Sequence, residues 1–155
     1  MGKTGATLKT VDTTKGILDL EFAYNTSKVS QIINAWSAKA AVDNISKAKI
    51  NTYLDFIFLT FYALFLFFIC KKVATLNTSK VGLLIAKGAI LAGVLDIIEN
   101  IGMLISLSGY PSNIVAIITT ICASIKWVLA IVALIYLIIG IVQFIYAKKI
   151  GSLIN

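Results

Sequence analysis

Two carboxylates and a carboxamide interrupt the apolar run over 81–107. Glu99 and Asn100 follow Asp96 by three and four positions, so all three leave one side of a helix. Asp55 and Tyr62, seven positions apart on one face, mark an earlier apolar run, and Lys126 marks a later one. Ionisable groups at membrane depth are costly and face a bundle interior, a cavity or a partner. Such a set can exchange a proton, hold a cation or bind a small polar ligand. The absence of histidine removes imidazole acid–base catalysis, imidazole metal ligation and histidine-ligated haem. No nucleophile–base pair can be named, so an enzyme ranks behind a binding protein. Asp55, Asp96, Glu99 and Asn100 form an all-oxygen set of the kind Ca²⁺ or Mg²⁺ takes. No second motif accompanies that set, so neither a metal nor a cofactor is assigned.

The elements that must position these groups are membrane helices. The 155 residues are 59% hydrophobic and 14% charged, whereas soluble domains are about half apolar and about a quarter charged. Mean hydropathy is +0.93. The formal charge of +7 comes from 14 lysines against seven acids, with no arginine. The lysines gather at the ends of apolar runs, as topology signals and contacts for anionic lipid. The continuous basic face that nucleic acid needs is absent. Cys70 and Cys122 lie in apolar runs without CxxC spacing and read as small buried residues. The expected fold is all-α: an integral membrane helical bundle of three spanning helices, with a short amphipathic helix outside them.

Taken in order, residues 1–15 are polar, rich in Thr and Lys, and read as a mobile start. Residues 16–50 form an extramembrane segment. In it, 16–23 reads as a short strand or a helical turn at the membrane surface. Asn25-Thr26-Ser27 reads as a helix start, and Val29, Ile32, Ile33 and Trp36 recur at helical spacing. That helix packs on the end of the bundle or, as the lesser alternative, lies among headgroups with Trp36 at their level. Ala41, Val42, Ile45 and Ala48 share a face of a helix leading into the first span. The bundle occupies 51–149, with spans over 53–70, 82–107 and 113–147, and 150–155 is a tail. The third span is long for one crossing, so tilt and projection beyond the membrane are expected. Ala89, Gly93, Asp96 and Asn100 make one stripe, and Ala116, Thr119, Ala123, Lys126, Ala130, Ala133, Leu137 and Gly140 lie on another. Small residues let helices approach closely, so both stripes should face protein.

Lys71, Lys72, Lys80, Lys148 and Lys149 lie on one side of these spans, while 108–113 has no lysine. The positive-inside rule puts the lysine-rich side and the C-terminus in the cytoplasm. The polar stretch before Tyr53, which also carries lysines, is then outside, which calls either for an upstream hydrophobic segment to export it or for the inverted orientation. A rise of about 1.5 Å per residue sets Asp55, Asp96 and Glu99 about 24–28 Å from the lysine-rich edge. Lys126 comes out at about 33 Å before tilt lowers it. Four ionisable groups from three helices thus reach one level. Lys126 is expected to pair with one or more of the three acids, because an unpaired buried charge neutralises.

Leu54-Asp55-Phe56-Ile57-Phe58 with Tyr62, and Asp96-Ile97-Ile98-Glu99-Asn100, resemble blocks of an uncharacterised family of small bacterial multi-helix membrane proteins. The stretch over 16–23 and Lys126 are similar to its pattern as well. The resemblance implies a fourth hydrophobic helix before the first block in the full-length protein, a bacterial inner-membrane location, and no assigned activity. It also singles out Glu21 beside Asp55, Asp96, Glu99, Asn100 and Lys126. With Tyr62 as a neutral donor, these seven are the candidate ligand-binding residues. The leading expectation is a protein that binds a small ligand, cation or proton there, in a transport-related role. The alternative is an accessory or assembly protein whose polar cluster fixes helix packing. Three helices enclose little, so self-association or a partner helix is expected too.

Overall fold

Residues 5–38 and 43–154 are described by the computed structural model, apart from the side chains of 145 and 147–154. Five helices follow one another there: α1 (Ile17–Glu21), α2 (Thr26–Ser37), α3 (Asn44–Leu76), α4 (Lys80–Leu107) and α5 (Asn113–Ile154). The longer four each start on a short polar side chain, which accepts one of the N–H groups a helix leaves unpaired. Asn25 Oδ1 accepts from Lys28 N–H at 2.8 Å and Asp43 Oδ1 from Ser46 N–H at 2.9 Å. Ser79 Oγ accepts from Gly82 N–H at 3.0 Å and Ser112 Oγ from Val115 N–H at 3.2 Å.

The ends of α3 and α4 close by one device with different residues. At the end of α4, Gly109 takes φ 94°, and the N–H groups of Gly109 and Tyr110 return to the carbonyls of Ser106 and Ile105. At the end of α3, Thr78 takes the left-handed position at φ 49°, with Thr78 and Ser79 bonded back to Thr75 and Ala74. Glycine suits that position, whereas a β-branched residue is strained in it.

The protein is an all-α helical bundle, and α3, α4 and α5 are each long and apolar enough to cross a membrane. Their outer faces expose residues such as Phe61, Phe65, Ile97, Ile118 and Val128, as lipid contact demands. α3 and α5 both pack along α4 and meet each other only over a short stretch. Along the bundle three layers succeed one another. A cap joins Leu20, Val29, Ile32 and Trp36 to Ala48, Met103, Leu107 and Ala116. Toward the α3–α4 turn, Leu66, Cys70, Ala86, Ala89 and Ala133 form a second apolar cluster. Between them lies a band of polar and ionisable side chains.

Four expectations are revised or refined. α3 starts at Asn44 and runs unbroken into the span, because Asn44, Ala48 and Thr52 are buried beneath the cap. The stretch over 17–21 is helical rather than extended. Residues 5–15 supply core, since Leu8 and Thr13 are fully buried. Trp36 is 0% exposed, and its Nε1–H donates to the Leu8 carbonyl at 2.9 Å and to Thr13 Oγ1 at 3.1 Å. A buried indole needs such an acceptor, and here that requirement ties the first residues to α2. Trp36 is therefore the centre of the cap and not a headgroup anchor. Ala41 and Val42, placed by periodicity on one helix face, lie outside the described residues.

Candidate functional site

The polar band is assembled by three stripes. On α4, Ala89, Gly93, Asp96 and Asn100 are all buried, as small residues at three- and four-residue steps bring neighbours close. Gly93 takes the side of Ala63, which leaves no room there for another Cβ. On α5, Ala116, Thr119, Ala123, Lys126 and Ala133 are buried along one line. On α3, Asp55, Phe58 and Tyr62 lie three and four positions apart on one face.

Lys126 Nζ donates to Asp96 Oδ1 at 2.6 Å. It stands 2.9 Å from each oxygen of Glu99, and only Oε1 accepts a hydrogen bond from it. Asp96 Oδ2 also accepts from the Tyr62 hydroxyl at 2.8 Å, which joins α3 to the pair. Asp55 Oδ2 accepts from Asn100 Nδ2 at 2.9 Å. Thus Lys126 meets two of the three expected acids, while Asp55 is satisfied by a neutral amide. Glu99 and Asn100 are 0% exposed, and Glu99 Oε2 and Asn100 Oδ1 accept no hydrogen bond.

A fourth carboxyl group comes from outside the spans. α1 touches both α4 and α5 and brings Glu21 to the ammonium, with Oε2 3.9 Å from Lys126 Nζ. Burial pushes the Glu21 carboxyl above the usual carboxylate range, against the pull of the ammonium and a hydrogen bond from Trp127. That bond, from Nε1–H, is 3.4 Å long. The position of Glu21 follows from a polar line on α5 that helical spacing could have revealed. Asn113, Thr120 and Trp127 recur every seven residues. Asn113 Oδ1 accepts from the Thr26 hydroxyl at 2.7 Å, and Thr120 Oγ1 donates to the Glu21 carbonyl at 3.3 Å. The cap is therefore held on α5 by polar contacts at regular height. Trp127 is the site residue that reading for charge alone overlooks.

The groups border a cavity of about 290 Å³ between α3 and α5, floored by Asp96 of α4 and roofed by Glu21. Asp55, Phe58, Tyr62, Lys126, Trp127 and Ala130 complete it. All seven sequence-derived candidates belong to the band, five in the cavity wall and Glu99 and Asn100 behind it. Four carboxyl groups against one ammonium would leave three negative charges if all were ionised. Such an excess inside a low-dielectric wall cannot persist, so protons or an added cation must take it up. Among the described residues no three carboxylate or thiolate groups are set around one metal position. No protein family, curated protein or solved structure matches this chain.

Proposed function

We propose that this is a small integral membrane protein that binds a cation, proton or small ligand at the carboxylate, amide and lysine cluster, in a transport-related role. The observation that carries the reading is the imbalance of four carboxyl groups around one ammonium. Packing alone calls for no such excess, because each surplus acid must either be buried protonated or carry a desolvation cost with nothing to offset it. Catalysis is not part of the proposal. Self-association or a partner helix, a bacterial inner membrane and a cytoplasmic C-terminus belong to the same reading. So does kinship with the small bacterial proteins that share its two blocks.

One set of contacts favours the rival, an accessory protein held together by its polar cluster. Tyr62–Asp96 and Asp55–Asn100 link α3 to α4, and Lys126 links α4 to α5. The double variant D96N/E99Q separates the two readings. A binding site predicts a folded protein of unchanged oligomeric state whose melting temperature responds less to pH and added cations, Glu21 and Asp55 still being present. A change of oligomer or aggregation on size-exclusion chromatography would give the accessory reading the better claim.

A further inference from the structure

We propose that the ligand of this site is an amphipathic organic cation that enters sideways from the bilayer, between α3 and α5. The inference rests on the binding reading above and names its ligand class and route.

Three observations converge on it. First, the carboxyl groups are not equally compensated. Asp96 and Glu99 share Lys126, whereas Asp55 is bonded by the neutral Asn100 and Glu21 by the neutral Trp127 indole, with the ammonium at 3.9 Å. Both of the less compensated acids line the cavity. Second, apart from Asp96, Ala130 and Lys126, whose ammonium is already engaged by Asp96 and Glu99, the remaining wall is aromatic. Phe58, Tyr62 and Trp127 border the same space as the acids, and aromatic faces with carboxylates attract alkylammonium groups. Third, the mouth opens to the side. Phe58 is 56% and Trp127 44% exposed on helices whose outer faces meet lipid, and the close α3–α5 contacts, Cys70 with Ala133 and Val73 with Gly140, lie nearer the α3–α4 turn. An ammonium head can thus reach Asp55 and Glu21 while its alkyl chain stays among lipid tails. A cavity of about 290 Å³ suits a head of that size, at the small end of ligand pockets. A fully hydrated ion would have to shed its water to use the same route.

The test compares octyltrimethylammonium with tetramethylammonium and with neutral octyl glucoside on the full chain in nanodiscs. Equilibrium dialysis measures binding, and Trp127 fluorescence reports occupancy against the constant background of buried Trp36. Octyltrimethylammonium should saturate and bind at least about tenfold more tightly than tetramethylammonium, since burying each methylene adds affinity. Octyl glucoside should not saturate. The E21Q/D55N variant should weaken octyltrimethylammonium about tenfold, and F58L should weaken it less. If tetramethylammonium binds as tightly as its octyl analogue, lateral entry is overturned while cation binding stands. If octyl glucoside competes equally, the site selects an alkyl chain and the charge argument is overturned. If neither cation binds but melting still depends on pH through Asp96 and Glu99, the ligand is a proton and only this inference fails. The wild-type comparison among the three probes decides the matter even where a variant does not fold.

Discussion

The same three helices are held in two different ways along their length. Near the α3–α4 turn they meet through Ala86, Ala89, Ala133 and Cys70, with Gly82 beneath Tyr136 and Gly140 beneath Val73. Nearer the cap they meet through carboxylates, an amide, a phenol and one ammonium. The apolar half shows that close approach of small residues packs this bundle without charge. The polar half is therefore more than packing requires, and its cavity is lined by acids, whereas the cavity of equal volume beside Val73, Leu137 and Gly140 has no acid in its wall.

Removing the charge that balances the polar half should have the largest effect. Lys126→Met leaves Asp96 and Glu99 without their partner and should cost about 3 kcal/mol of unfolding free energy in micelles. Lys87→Met, at an exposed position of α4, serves as the control and should change it by less than about 0.5 kcal/mol. Equal losses in the two proteins would erase the distinction drawn between the halves. Next comes an assault on the apolar half: Gly82→Leu drives a side chain into Tyr136 and Ala74 and should cost about 2 kcal/mol. A tolerated leucine would mean that close approach is not what holds that end.

The two helix ends give a smaller and opposite pair. Thr78→Gly relieves a left-handed threonine and should stabilise by about 1 kcal/mol, while Gly109→Ala should destabilise by about as much. Thermal unfolding of both variants reads the sign directly. The smallest effect is a pH dependence of the cap. Burial raises the Glu21 carboxyl, so its docking is complete below the ordinary carboxylate range and weakens as pH rises through the raised value. Tryptic cleavage after exposed Lys15 and Lys28, taken as the ratio of wild type to E21Q, should climb with pH. A flat ratio would mean that Glu21 keeps its proton, or its partner, throughout.

Much of this was legible before any coordinates. The stripes on α4 and α5 are the ones that three- and four-residue spacing of small residues marks out, and both are buried apart from half-buried Ala130. Asn25 announces a helix start by its chemistry. The convergence of Asp55, Asp96, Glu99 and Lys126 follows from rise per residue alone. What stayed hidden was long-range. Periodicity cannot say that Leu8 and Thr13 sit under Trp36, because that contact spans more than 20 positions and rests on one indole N–H shared between two acceptors. Nor can it say which acid Lys126 chooses, since the three candidates stand at similar heights and the choice turns on side-chain reach. Glu21 was marked by resemblance alone. The residues that carry it into the band, Thr120 and Trp127, have no charge to attract notice.

The seven-residue line of Asn113, Thr120 and Trp127 has a mechanical consequence. It shares α5 with the row that carries Lys126, so both sets of contacts depend on one angular setting. A twist of the helix by a single position, about 100°, would swing every member of both rows out of reach at once. α5 thus behaves as a spindle with two keyways. Whatever rotates it must unlatch the lid and unpair the ammonium in the same stroke.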